Sequence, residues 1–109
     1  MVTTKTTEGV AMKYANAGIV CGELAGSATA LQMPDLNTEL INFKAVSSNA
    51  GNVYIGGVGV TVPNGTTDTT TGFELGAGEE TGFIPVTNAN ILYRICDNAG
   101  DDLTYIGVL

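Results

Sequence analysis

From residue 18 onward the chain is built of short apolar runs separated by glycine-bearing turns, and many of the runs alternate apolar and polar positions. A period of two belongs to strands, whose successive side chains point to opposite faces. The most telling stretch is NVYIGGVGVTVPNG at 52–65, followed by FELGAGE at 73–79 and ILYRI at 91–95. Its order is a β-branched strand, a glycine pair, a second β-branched strand, a turn, and further strands separated by glycine turns. IVC at 19–21 predicts a short strand closed by Gly22, and SATALQM at 27–33 predicts a second, stopped by Pro34. ELINFKAV at 39–46 places Ile41, Phe43 and Ala45 on one face. Leu36, Leu40 and Phe43 also fit a helical spacing with Asp35 as a cap, but the β-branched centre and the SSNAGN turn that follows favour a strand.

VGVTV at 58–62 reads as a strand with Val58, Val60 and Val62 on one face, and PNG at 63–65 as a turn. The turn opens the polar tract TTDTTTG at 66–72, read as an exposed loop tip made of Thr66, Thr67, Asp68, Thr69 and Thr70. Pro85 places GFIPV at 82–86 on an edge or at a strand end. ILYRIC at 91–96 aligns Ile91, Tyr93 and Ile95, DNAGDD at 97–102 is a turn, and LTYIGVL at 103–109 is the last strand. The expected fold is all-β: a small antiparallel β-sandwich or flattened barrel of about seven to nine strands over 18–109. Its expected core holds Ile41, Phe43, Val53, Ile55, Leu75, Ile84, Ile91, Tyr93 and Ile106. Residues 1–17 are rich in Thr and read as an extended N-terminal arm. Within it Val10, Met12 and Tyr14 alternate as a short strand would, and with Lys13 they form the expected surface for gripping a partner.

Composition agrees with strands. Thr and Gly number 15 each, Val 10, and a chain of 109 residues is by default one domain. Eleven acids against four bases give a net charge of −7, and Lys5, Lys13, Lys44 and Arg94 do not cluster. Phosphate binding needs clustered bases, so nucleic acid is not an expected partner. Charge of this size keeps a small domain soluble; the sharper reading is docking on a basic surface such as an assembled protein shell. VTTKTTEG after Met1 lacks the apolar core of a secretory signal, and no segment approaches the ~20 apolar residues of a membrane span. The expectation is a chain made in a cytosol, with no membrane partner.

The chain has no His, which removes the commonest general base and any Ser–His–Asp or Cys–His arrangement. Glu79 with Glu80, and Asp101 with Asp102, are the carboxylate pairs to weigh for acid–base work. Neighbours on a strand face opposite ways, and acids in turns are read as solvated. Gly56, Gly57 and Gly59 are followed by a strand pattern rather than the helix a phosphate loop needs, so they read as a bulge or bend. DNAGDD lacks the ligand spacing and the terminal Glu of a calcium loop. Cys21 and Cys96 read as buried free thiols in strands, and two thiols without His do not close a zinc shell. No enzyme activity, cofactor or metal is expected.

The ordered string of SATAL, SSNAGNVYIGGVGVT, GFELGAGE and NILYRI resembles a widespread group of small phage virion proteins, the β-sandwich head-decoration or head-fibre type. The matching positions are 28–31, 52–56, 60–61, 72–79 and 92–93, so the resemblance spans about 18–109. It departs at TTDTTTG, which lengthens the loop after PNG, and in the arm before Gly18, which follows no pattern of that group. The resemblance implies a non-enzymatic structural protein of the virion that decorates or cements the outside of the capsid. The major capsid protein is then the expected partner, a homotrimer the expected oligomer, and the host cytoplasm the place of synthesis. The alternative is a virion-displayed module that holds a host glycan or receptor through loop tips. Sugar sites favour exposed aromatics, and a chain with no Trp and four Tyr, three of them in mid-strand, tilts toward cement.

Overall fold

A computed structural model describes residues 18–63 and 72–109. Among them seven strands follow in chain order: β1 (Ile19–Leu24), β2 (Leu31–Gln32), β3 (Leu40–Ala45), β4 (Val53–Gly56), β5 (Phe73–Leu75), β6 (Tyr93–Cys96) and β7 (Leu103–Val108). One short 3-10 turn, Ala89–Ile91, precedes β6. The strands form two sheets, β1-β7-β3 and β2-β6-β4-β5, with every pairing antiparallel. The fold is all-β, as the alternation predicts.

Register decides which side chains meet between the sheets. On β3 and β7 the opposed pairs Ile41–Gly107, Phe43–Tyr105 and Ala45–Leu103 point inward. Val53, Ile55, Leu75 and Cys96 point back at them from the other sheet, and Met33, just after β2, joins the same cluster. Phe43 is fully buried and its ring lies 6.4 Å from that of Tyr105 at a tilt of 55°, the inclined geometry that aromatic pairs favour. Arg94 shares the inner face with its register neighbour Ile55. Its Nε donates to the Ala25 carbonyl, and its Nη1 to the Gln32 carbonyl and the Met33 sulfur, so one guanidinium fastens the β1–β2 connection to β6.

The outer edge of β3 is not bare. Residues 78–84 run along it with bonds from Gly78 N to Ala45 O, Ala45 N to Glu79 O, Thr81 N to Phe43 O, and both ways between Ile41 and Ile84. Positive φ at Gly78 (81°) and Gly82 (76°) breaks the regularity of this run, which behaves as a bulged eighth strand. Pro85 follows its last bond, at the sheet edge where its sequence context places it. With that run beside β3, the order β1-β7-β3-run over β2-β6-β4-β5 is that of a double Greek key jelly roll.

Several local expectations change. Gly22 does not close β1; it sits mid-strand opposite Tyr105, and a Cβ there would fall 2.7 Å from the tyrosine oxygen. The glycine gives the ring room to lie across the strand. Residues 58–62 are not a strand, because Gly59 at φ 86° turns the chain and Val58 is 82% exposed. The chain then folds over the outer face of β6 and β4, where Val60 and Val62 pack on Tyr54, Ile95 and Tyr93 as a second small cluster. Tyr93 and Ile95 therefore share a face, but not the one between the sheets. SATALQM contracts to the two residues of β2, since Ser27 and Thr29 bond each other in a bend. Ile91 falls in the 3-10 turn and is 56% exposed, Ile106 points outward, and Ile84 is only partly buried. Cys96 is buried, but Cys21 is exposed on the outer face of β1.

Truncating Phe43 to Ala is expected to cost about 3–5 kcal/mol, as for large buried aromatics. Ile91→Ala is expected to stay within about 0.5 kcal/mol, as at exposed positions. Denaturant unfolding of the two variants beside the parent chain checks both.

Candidate functional site

The two loops that carry the chain between sheets at one end, 46–52 and 97–102, are locked together by side chains. Asp101 is 2% exposed. Its Oδ1 accepts the backbone N–H groups of Ala50 (3.0 Å) and Gly51 (3.2 Å), and its Oδ2 accepts the backbone N–H (3.1 Å) and the side-chain amide (3.0 Å) of Asn98. The Asp102 N–H donates to Asn49 Oδ1, the Asn49 amide donates to the Asp102 carbonyl, and Asp102 Oδ1 accepts the Gly26 N–H. Asp97 accepts from Asn52 N–H and from the Tyr54 hydroxyl. The sequence reading treats turn acids as solvated, and Asp101 contradicts it: the carboxylate takes the place of backbone acceptors in a turn. The signal was in the chain, as NAG occurs at 16–18, 49–51 and 98–100, and only the last is followed by an Asp three residues after its Asn, placed to accept the free N–H groups of its own turn.

Burial opposes ionisation of Asp101 and is the largest single influence on it. The donors from Gly51, Asn98 and Ala50 together outweigh burial and hold its pKa below the ordinary value. With all four donors supplied by the protein, the carboxylate is a structural clamp. Among the described residues no three His, Cys, Asp or Glu side chains converge as a metal cage.

The other carboxylate pair is also committed to structure. Glu79 Oε1 accepts the Gly76 N–H at 2.6 Å, closing the turn after β5, and Glu80 Oε1 accepts from Asn42 Nδ2 at 2.6 Å. Neither pair forms an acid–base dyad. Gly56, Gly57 and Gly59 lead into the turn over β4 rather than into a helix.

Two apolar areas stand out on the described surface. Beside β5 an opening of about 270 Å³ is lined by Ile55, Gly56, Phe73, Thr81, Ile84 and Leu92. Phe73 is 61% exposed, and so is much of Phe83 nearby in the chain. The polar side chain of that lining is already engaged: the Thr81 hydroxyl accepts the Phe43 N–H and donates to the Gly82 carbonyl at 2.6 Å. Small-ligand sites orient their occupant with convergent free polar groups, and this opening supplies none from its side chains. A second apolar area occupies one end of the outer face of β1-β7-β3, where Ile19, Cys21 and Ile106 are exposed and Leu40 and Val108 half-buried, while the row Glu23, Thr104 and Lys44 makes the other end polar. Cys96 points inward from the opposite sheet, so the two thiols lie on different sides of β1-β7-β3, and burial pushes the Cys96 thiol above its ordinary pKa. The expected gripping residues Val10, Met12, Lys13 and Tyr14, and the loop tip Thr66, Thr67, Asp68, Thr69 and Thr70, lie outside the described residues.

No protein-family model matches the chain, and no curated protein does. Among solved structures it is similar to a chain from Bacillus endospore appendages, described as a novel family of disulfide-linked pili, with 17% identity and a TM-score of 0.43 over 84% of this chain and 86% of that one. A TM-score below 0.5 does not by itself assign a shared fold, and the jelly roll here stands on its own strand order.

Asp101→Asn is expected to cost about 1–3 kcal/mol at neutral pH, because an amide NH₂ then faces N–H donors in a buried turn. A depressed carboxylate stabilises the fold above its ordinary pKa of 3.8, and that contribution is lost as the pH falls through the lower folded value. Urea unfolding from pH 7 to 2 is therefore expected to show a shallower acid loss in the Asn variant than in the parent.

Proposed function

We propose that the protein is a non-enzymatic structural component of a phage particle that decorates and cements the outside of the capsid. A jelly roll is shared by capsid proteins, lectins and cupins, so the fold alone does not choose among them. The observation that carries the reading is the pairing of committed polar groups with open apolar ones. The carboxylate pairs are engaged by turn N–H groups and by Asn42 of β3, while Phe73, Phe83, Ile19 and Ile106 stand exposed. Exposed apolar side chains grouped on a small protein mark a surface that meets another macromolecule.

Sugar recognition is less well supported. Tyr54 is buried, and Tyr93 and Tyr105 are packed into the two clusters, so none of these rings is offered for stacking. On the cement reading the partner is the major capsid protein, the copies act as a trimer bridging neighbouring capsomers, and added contact area resists their separation. An interface near the standard ~1,600 Å² would hold each contact.

Purified protein mixed with undecorated phage shells is expected to co-sediment at a fixed ratio and to raise the temperature at which the shells come apart. Shells of unchanged stability with no bound protein, alongside retention on immobilised host glycan, would move the assignment to the displayed binding module.

A further inference from the structure

Two openings beside β5 adjoin at Phe73, and they differ in character. One, of about 390 Å³, is lined by Phe73, Glu74, Leu75, Gly78, Glu79 and Glu80. The other is the apolar opening of about 270 Å³, where Phe73 meets Ile55, Ile84 and Leu92. Every residue of both linings is a described one. β5 flanks the pair on one side and the 78–84 run on the other, and the turn that Glu79 closes on Gly76 lies between them. Together they form a groove with an acidic end and an apolar end, and the exposed Phe73 stands where the two meet.

We infer that this groove docks a protein partner through an Arg or Lys side chain set beside a large aliphatic one. Charge selects the first of these. Each carboxylate at the acidic end is anchored through one oxygen: Glu74 Oε2 accepts from Asn52 Nδ2 at 2.7 Å, Glu79 Oε1 from Gly76 N–H and Glu80 Oε1 from Asn42 Nδ2, both at 2.6 Å. The second oxygen of each has no donor among the described residues. A side chain already held in place gives up little rotamer freedom when it meets a cation. The described bases do not answer these acids. Arg94 is buried and donates to Ala25, Gln32 and Met33. Lys44 lies on the far side of Glu80, in a separate opening with Asn42 and Ile106. Like charges gathered on one rim repel each other and turn away acidic partners, and a partner's cation relieves that repulsion.

The apolar end selects the second side chain. Ile55, Ile84 and Leu92 offer only hydrocarbon, and the Thr81 hydroxyl is engaged by Phe43 N–H and the Gly82 carbonyl. Between the ends, an aromatic ring takes a cation over its face, a guanidinium most readily. This inference deepens the capsid reading by giving the docking contact its chemistry. It rests on that reading only for the shell as the source of the partner.

Two experiments keep the groove and its partner apart. In the first, the full chain is titrated with the synthetic peptide acetyl-GIRIRIG-amide, and with acetyl-GIEIEIG-amide as its counterpart, while amide NMR shifts are followed. The Arg peptide is expected to move the amides of 73–81. An E74Q/E79Q variant keeps an acceptor oxygen for Asn52 and Gly76 but loses both charges, and is expected to bind that peptide about fivefold more weakly. Amides of 73–81 that stay unmoved, a Glu peptide that moves them equally, or a variant of unchanged affinity overturns the proposal. In the second, E74Q/E79Q and F73S are sedimented with undecorated shells, and both are expected to bind less than the parent. Binding equal to the parent's by both variants also overturns it. If even the parent ignores the shells while the Arg peptide fills the groove, the capsid reading fails and the groove stands.

Discussion

The spacing of the two sheets is fixed at one end by a single buried carboxylate. Asp101 accepts four bonds, two from the loop joining β3 to β4 and two from its own loop joining β6 to β7. Each of those loops crosses from one sheet to the other, so tying them together sets how far apart the sheets begin. Asp102 extends the tie to Gly26, just after β1. The approach there is so close that a Cβ on Gly26 would fall 1.6 Å from the Asp101 carbonyl oxygen, so no other residue fits without moving the backbone. The apolar cluster of Phe43, Ile41, Leu75 and Leu103 fills the space that this frame defines.

The strands most legible in the sequence were those with one wet face. β3 alternates cleanly because Ile41, Phe43 and Ala45 are buried while Lys44 meets solvent. β4 was found from its β-branched residues, but Tyr54 is buried as well, because residues 60–62 cover the outer face of that sheet. The errors came where a backbone device overrode the period. Asn88 caps the 3-10 turn through Asn90 N–H and also accepts the Leu36 N–H, which lifts Ile91 out of the run it seems to begin. Glycine carries two opposite roles that the pattern does not distinguish: Gly22 serves side-chain packing inside a strand, and Gly59 makes a turn inside an apolar alternation.

Candidate chemistry was legible mainly by exclusion, and a chain without His leaves few routes to acid–base catalysis. The role of Asp101 was hidden because DNAGDD looks like any polar turn until the partner loop is known to lie against it. The apolar faces could not be read at all, since exposure of Phe73 or Ile106 depends on which sheet covers which, a property of the tertiary fold.

The two broad faces of the sandwich are unequal. On one, Val60 and Val62 roof over Tyr54 and Ile95; on the other, Ile19, Cys21 and Ile106 have no such roof among the described residues. A slab with one finished side and one unfinished side has a built-in up and down. Pro63 and Gly72, the points where the described chain leaves and re-enters around the Thr-rich tract, belong to the finished side, where Gly72 abuts Val60 and Tyr54. Sequence inserted between them would start and end on the roofed face, on the opposite side of the sandwich from Ile19, Cys21 and Ile106, which makes that tract a mounting point for foreign peptides that leaves the bare sheet untouched.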